Sequence, residues 1–469
     1  MTMIDIKART VVGPLETWRH SVGHGGINWL PLPDRIVTGA AKLQPRLIRI
    51  FLQEFFAIYP DHDRFDWRRL DPYMDALART GARVVAAITI KPPVLYPEID
   101  HTIWQPNNVK EWQHVIAELV RRYSVEKPVV THWEIGNEVD IGESGGSPYL
   151  IRNPQAYAEY YTMTVQPILD AFPQARVGGP AMAAMHAEPL PGFIKYCQQS
   201  ESQLDFLSWH LYHSDPGRHS YQAQIARLLV ADLPRRPELM VTEWSPFPSA
   251  WNRDENRDAT EDRAFDVRRA AMTAAAIIEM HQAGLDWSFY YHLWDQVCYP
   301  QDFAPFFSPG GTANMVHHWN EVPHRLGLFG VDGEVRPQYF VYLILSRLGQ
   351  EQVAASSNDM TVRVLAGRCP KGISVLVTNH SLDEQCDRVV TVRFSHLRPG
   401  IKQLVVYRID DQRRWNAQKL ELVPVEQRET YAQQDYECQV WLPANSVAMV
   451  GLYDNRNDGS VSAGVRKSI

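Results

Sequence analysis

The sequence is poor in cysteine, and its cysteines follow no pattern. The 469 residues include five cysteines, which are widely spaced and contain no Cys-x-x-Cys pair. They are Cys197, Cys298, Cys369, Cys386 and Cys438. An odd number without regular spacing predicts neither a disulfide framework nor a zinc knuckle. It favours a protein of a reducing compartment.

Long hydrophobic runs are also missing. The first ten residues, MTMIDIKART, contain no apolar signal-peptide core. The longest apolar stretches fall far short of the roughly 18 residues that cross a membrane. We therefore expect a cytoplasmic protein without a membrane partner. A secreted protein that has lost its signal peptide stays open as an alternative.

Neither positive nor negative charge is concentrated in any segment of the sequence. Lys and Arg number 47 and Asp and Glu number 54, for a net charge of −7. This balance argues against a nucleic-acid partner. A chain with 45% apolar and 22% charged residues is typical of a folded globular protein. At about 150 residues per domain, or about 250 for an α/β barrel, the length allows three domains or one barrel with a further module.

Short apolar runs alternate with amphipathic segments between about residues 22 and 350. There are eight such runs: GGINWL (25–30), RLIRIFL (46–52), ARVVAAITI (82–90), VVTHWEIGN (129–137), ARVGGPAM (175–182), LDFLSWHLY (204–212), ELMVTEWS (238–245) and LDWSFYYHLW (285–294). Continuous apolar runs are typical of parallel strands buried on both faces. The segments between them have helical spacing. Eight β/α units predict a (β/α)8, or TIM, barrel.

The pattern changes after Gly349. Short segments such as GISVLVTN and SVAMVGLY are separated by turns at intervals that predict an antiparallel β-sandwich. The N-terminal MIDIKA alternates with a period of two and is expected to add a strand to this sandwich. We therefore expect an α/β protein with a joining strand at 1–14, a catalytic barrel at 15–350 and a C-terminal sandwich at 351–469.

Two glutamates stand where predicted barrel strands end. Glu138 follows the fourth run in HWEIGNE, and Glu243 closes the seventh in MVTEWS. Active sites of TIM barrels lie at the carboxyl ends of the strands. A pair of carboxyl groups flanking a sugar is what glycoside hydrolysis requires. The alternative for either residue alone is a glutamate that pairs with an arginine or caps a helix.

Other predicted strand ends carry groups that suit a sugar site. Arg49 is placed to keep a nucleophilic carboxylate ionised, and Tyr212 to orient it by a hydrogen bond. Trp294 offers an apolar floor for a sugar ring. His210 and His24 are further candidate contacts for the sugar hydroxyls.

These motifs resemble those of a known enzyme family. WEIGNE, followed about a hundred residues later by VTEW, resembles the clan A glycoside hydrolases. RLIRIF, WHLY and the Trp294-Asp295 pair narrow the resemblance to glycoside hydrolase family 39, which contains β-xylosidases and α-L-iduronidases. The resemblance covers nearly the whole chain and implies a barrel followed by a sandwich and a retaining glycosidase activity. It implies Glu138 as general acid/base, Asn137 as the partner of the sugar 2-hydroxyl and Glu243 as nucleophile.

The chain also departs from that family. Phe51 stands where the family has a His-Gly pair, and the segments 23–29 and 297–325 differ from those of common xylosidases. We expect exo action on a xylosyl or arabinosyl glycoside. An endo-acting clan A enzyme on another polysaccharide and a catalytically dead carbohydrate-binding barrel remain as alternatives.

No cofactor or metal is expected. The histidines His24, His210, His213 and His317–His318 show no metal-hydrolase spacing. The segment GESGG fits G-x-S-x-G, but it lacks the strand before and the helix after that a serine hydrolase requires. The expected partner is an oligosaccharide, a polysaccharide or a small glycoside. The sandwich is a candidate surface for a homo-oligomer.

Overall fold

The chain begins with one long strand, β1 (Thr2–Pro14), and then forms eight parallel strands that close into a barrel. The computed structural model describes residues 1–200, 202–246 and 259–454, with the backbone alone from 259 to 265. The barrel strands are β2 (His20–His24), β3 (Leu47–Gln53), β4 (Arg83–Thr89), β5 (Val130–Ile135), β6 (Arg176–Met182), β7 (Phe206–Tyr212), β8 (Glu238–Ser245) and β9 (Trp287–Tyr290). Neighbours in the barrel are neighbours in sequence, and β9 pairs with β2. The predicted TIM barrel is confirmed.

Helices lie between consecutive barrel strands and follow the last one. They are α1 (Asp34–Lys42), α2 (Leu70–Ala78), α3 (Val109–Val120), α4 (Pro154–Ala171), α5 (Pro189–Ser200), α6 (Pro216–Leu229), α7 (Ala259–Gln282), α8 (Pro300–Phe303), α9 (Pro309–Val316) and α10 (Pro337–Leu345). Local sequence fixes several starts. The Asn153 side chain, for example, accepts a hydrogen bond from the Ala156 N–H and caps α4, which begins with a proline.

The first barrel strand lies earlier in the sequence than the apolar run at 25–30 predicts. The apolar run at 25–30 is a loop, and β2 occupies His20–His24 instead. Gly25 and Gly26 have φ values of 96° and 88°, in the left-handed region that no strand can continue through. These two glycines turn the chain across the barrel mouth.

The remaining strands form a second domain with β1. They are β10 (Glu351–Ser357), β11 (Val362–Cys369), β12 (Gly372–Asn379), β13 (Arg388–Ser395), β14 (Gly400–Ile409), β15 (Trp415–Asn416), β16 (Glu421–Leu422), β17 (Pro424–Ala432), β18 (Tyr436–Leu442) and β19 (Ser446–Asp454). Eight of these strands and β1 form one sheet in the order β17-β14-β19-β12-β11-β10-β1-β13-β18. Its pairings are antiparallel except that of β1 with β13. Alternate side chains from both halves of this sheet share one apolar core, as in a sandwich.

The sheet domain packs on α7 of the barrel. Arg363 pairs with Glu279 at 2.9 Å, and the Thr378 hydroxyl donates to the Ala271 carbonyl at 3.3 Å. Core residues of β11, β12 and β19 are continuous with the barrel core. Barrel and sheet therefore share buried apolar surface. No helix in the described ranges has the length and apolar character of a membrane span.

Candidate active site

A cavity of about 450 Å³ opens at the carboxyl ends of the barrel strands. Five of the eight predicted site residues line it, namely Asn137, Glu138, His210, Tyr212 and Glu243. Arg49 lies directly behind them and contacts two of them. The parallel topology brings these side chains together, because it places all strand ends at one face.

Glu138 reaches the cavity through an unusual backbone turn. Gly136 has φ 93° and Glu138 itself has φ 45°. A left-handed conformation costs a non-glycine residue about 1–2 kcal/mol. The Glu138 N–H compensates by donating to the Ala181 carbonyl of β6 at 2.8 Å. The turn bends the chain out of strand register and buries the carboxyl group beside β7 and β8.

Both carboxylate oxygens of Glu243 are held from two sides. The Tyr212 hydroxyl donates to Oε1 at 2.6 Å, and the Arg49 guanidinium donates to Oε2 at 2.9 Å. Glu243 is 7% exposed. These charge-assisted bonds fix the carboxylate in one orientation and stabilise its ionised form.

Arg49 is buried and donates hydrogen bonds to three residues of the site. Its guanidinium donates to Glu134 at 2.7 Å, to Glu243 at 2.9 Å and to the Asn137 side-chain oxygen at 2.7 Å. Burial lowers the pKa of Arg49, but the charges of Glu134 and Glu243 outweigh it, and the pKa is raised. Glu134 was not among the predicted site residues. Its signal was its position inside a strand predicted to be buried, where a carboxylate needs a partner.

The surroundings shift the pKa of the two candidate catalytic carboxyl groups to different extents. Burial, reinforced by the charge of Glu243, raises the pKa of Glu138 well above its usual range. Burial also raises the pKa of Glu243, but Arg49 and the Tyr212 hydroxyl oppose the rise. These surroundings therefore favour protonation of Glu138 over protonation of Glu243. Burial, with the charge of Arg49, lowers the pKa of His210, whose Nδ1 lies 2.8 Å from Glu138 Oε1.

Comparison with known proteins identifies the family of this chain. The model of the glycosyl hydrolases family 39 matches residues 41–420. This chain belongs to glycoside hydrolase family 39. A β-xylosidase of Geobacillus stearothermophilus is 21% identical over 306 residues, which are 62% of this chain and 57% of that enzyme's length. The chain thus spans little more than half of that relative.

Solved structures share the family 39 fold. A monomeric β-xylosidase from Caulobacter crescentus CB15 has a TM-score of 0.74 at 19% identity, covering 97% of this chain and 100% of its own. A glucosidase from Croceicoccus marinus has a TM-score of 0.72 at 18% identity, covering 97% and 99%. At such low identity these structures bear on the architecture and not on the substrate.

Two predicted contacts lie outside the cavity of this family 39 chain. Trp294 donates its indole N–H to the Val331 carbonyl at 3.3 Å and stacks on His24, with ring centroids 6.1 Å apart. Neither residue lines the cavity. Because β9 ends at Tyr290, Trp294 falls beyond the barrel mouth. The aromatic rings that line the cavity at this side are Tyr291 and Trp319.

Phe51 also lines the cavity of this family 39 barrel. Its ring lies 4.4 Å from the Arg49 guanidinium and 6.0 Å from the ring centroid of Tyr291. The departure noted in the sequence thus places an apolar ring inside the site. It offers no hydrogen bond to a sugar hydroxyl.

The geometry of this family 39 site does not favour a metal-dependent hydrolase or a serine hydrolase. Glu138, His210 and Glu243 offer three metal-ligand atoms within 4.8 Å of one another. However, Arg49 already donates to Glu243, and a cation beside a guanidinium would be repelled. Ser144 lies in the turn Gly142–Gly145, not between a strand and a helix. The buried Lys91 ammonium group donates to the carbonyls of Asp100 and Pro148, outside the cavity.

Proposed function

We propose that this protein is a retaining glycosidase in which Glu138 is the general acid/base and Glu243 the nucleophile. One observation carries the proposal. A carboxyl oxygen of Glu138 and one of Glu243 lie within 4.8 Å of each other. Retaining enzymes hold their carboxyl groups about 5–5.5 Å apart, whereas inverting enzymes leave about 6.5–9.5 Å for a water molecule.

In the first half-reaction the ionised Glu243 attacks the anomeric carbon. A bond forms between its oxygen and that carbon while the bond to the leaving oxygen breaks. Glu138 transfers its proton to the leaving oxygen. Arg49 and Tyr212 hold Glu243 in the orientation for attack.

In the second half-reaction water replaces the leaving group. Once Glu243 is esterified its charge is gone, so the pKa of Glu138 falls and the carboxylate can accept a proton from water. The water oxygen bonds to the anomeric carbon, and the ester bond to Glu243 breaks. Two inversions at the anomeric carbon give net retention.

Asn137 and Gln53 supply polar contacts for the sugar. Arg49 holds the Asn137 side-chain oxygen, so its amide nitrogen is oriented for the 2-hydroxyl. The Gln53 amide nitrogen donates to the Gly146 carbonyl at 2.7 Å, which leaves its buried Oε1 at the cavity as an acceptor.

We further propose exo action on a xylosyl or arabinosyl glycoside. A cavity of about 450 Å³, walled on one side by the segment after β9, suits one terminal sugar better than a long polysaccharide. The sequence similarity to a β-xylosidase supports a pentose. A panel of aryl β-xylosides, α-arabinosides, β-glucosides and β-galactosides tests this. Higher kcat/KM on a hexoside, or faster cleavage of internal than of terminal bonds, would contradict it.

Azide rescue tests the catalytic assignment. Glu243→Ala is expected to abolish turnover, and azide should restore it with a glycosyl azide of inverted configuration. Glu138→Ala in azide should give the azide of retained configuration, because its nucleophile is intact. Unchanged activity in Glu243→Ala would falsify the nucleophile assignment.

A further inference from the structure

Two segments far apart in sequence form one wall of the cavity. The first is the turn Gly142–Gly145, which follows Glu138. The second is α9, which lies in the long segment after β9. Ser144 and Gly145 of the turn and Asn314 and Met315 of α9 all line the cavity.

Glu143 connects these two segments. It is 8% exposed, and its carboxylate accepts hydrogen bonds from the Ser308 N–H at 2.7 Å and from the Ser308 hydroxyl. The same hydroxyl accepts from the Gly311 N–H at 3.0 Å and caps α9. The Asn314 amide donates to the Glu143 carbonyl at 3.4 Å. The charge therefore lies at the N-terminus of α9, where the helix dipole stabilises it.

Close contacts then join this unit to the Glu138 side chain. A Cβ atom on Gly145 would overlap the Glu138 carboxyl group, so the turn packs directly on it. A Cβ atom on Gly311 would overlap the Glu143 carboxylate in the same way. The Asn137 amide donates to the Gly145 carbonyl at 3.4 Å, and Gln53 donates to the Gly146 carbonyl. Direct contacts therefore connect α9 through the turn to Glu138.

We infer that Glu143 is a positioning residue that holds α9 and the turn against the carboxyl group of Glu138, and that this wall faces the leaving group. The inference rests on the proposed function. A general acid must lie within hydrogen-bond reach of the leaving oxygen, so the groups packed on Glu138 flank the leaving-group side. Without the Glu143 carboxylate, the turn and α9 lose their shared acceptor and Glu138 loses its support.

Comparing substrates with good and poor leaving groups distinguishes a positioning role of Glu143 from a general effect on the stability of the protein. An aryl glycoside with a strongly acidic phenol needs no protonation, whereas an alkyl glycoside or one with a weakly acidic phenol does. General acid catalysis contributes about 10²–10⁴-fold, so Glu143→Ala should lower kcat/KM for the poor leaving group about tenfold more than for the activated one. Ser308→Ala keeps the N–H donor and should shift the same ratio by less. Glu159→Ala, which removes an exposed carboxylate on α4, is the matched control and should leave the ratio unchanged.

The ratio of kcat/KM for the two substrates decides whether Glu143 has this positioning role. A selective loss with the poor leaving group supports it. An equal loss for both substrates, or no loss, would overturn it. If Glu143→Ala does not fold, as judged by its thermal transition, the ratio in Ser308→Ala decides in its place. A Glu138→Ala variant without leaving-group dependence refutes the proposed function, whereas dependence in Glu138→Ala but not in Glu143→Ala refutes the positioning role alone.

Discussion

Loss of the Tyr212 hydroxyl should move the acid limb of the pH–rate profile. That hydroxyl donates to Glu243 Oε1 at 2.6 Å in a buried site. A hydrogen bond to a charged group contributes about 1.5–3 kcal/mol. Since about 1.36 kcal/mol corresponds to one pKa unit, Tyr212→Phe should raise the pKa of Glu243 by about one to two units. Turnover requires ionised Glu243, so the acid limb should rise in pH by the same amount.

The assay is kcat/KM for an activated aryl glycoside across the pH range, because this ratio reports the ionisations of the unbound enzyme. Tyr291→Phe is the matched control. Tyr291 lines the same cavity, but its hydroxyl donates to the Gly25 carbonyl at 2.8 Å and not to Glu243. Its acid limb should therefore move much less. An unmoved acid limb in Tyr212→Phe, or an equal shift in both variants, would refute the reasoning.

Three further predictions follow from buried charges. Asp140→Asn should move the basic limb to lower pH, because the Asp140 charge helps to raise the pKa of Glu138; an unmoved basic limb contradicts this. Burial raises the pKa of Glu54 from 4.5 to about 8. Because the folded state holds this proton more tightly than the unfolded state, the free energy of unfolding should fall by about 1.4 kcal/mol for each pH unit between these two values. Glu54→Gln should therefore raise the thermal midpoint at pH 8 far more than at pH 5, and an equal change at both would be the contrary result. Activity should survive EDTA, because Arg49 already supplies positive charge at Glu243; a loss that added metal reverses would be evidence against this.

The barrel was predictable because its signal is local and repeated. Seven of the eight apolar runs overlap the strands found in the structure. The exception is the run at 25–30, where the composition is apolar but the two glycines adopt left-handed conformations. Hydrophobicity identifies buried segments, and backbone conformation decides whether such a segment is a strand.

The structure brings predicted site residues together where they lie at strand ends. Arg49, Tyr212 and Glu243 occupy strands whose register is set by the barrel, so their convergence follows from topology. Trp294 lies outside the cavity because it follows its strand, where loop geometry governs direction. Trp319 lies in the short helical turn His317–Glu321 and Glu143 in the turn Gly142–Gly145, and neither segment has a periodic signal. The contact of Glu143 with Ser308 spans 165 residues.

By itself, the sequence determined the class of fold, the two candidate catalytic glutamates and the resemblance to family 39. These depend on apolar periodicity and on short motifs, which are properties of neighbouring residues. Only the tertiary structure decided which groups surround those glutamates. The approach of their oxygens to within 4.8 Å, the contact of Arg49 with Glu134 and the link from Glu143 to α9 join residues from different β/α units. Such contacts depend on how the closed barrel places separate strands and loops in space.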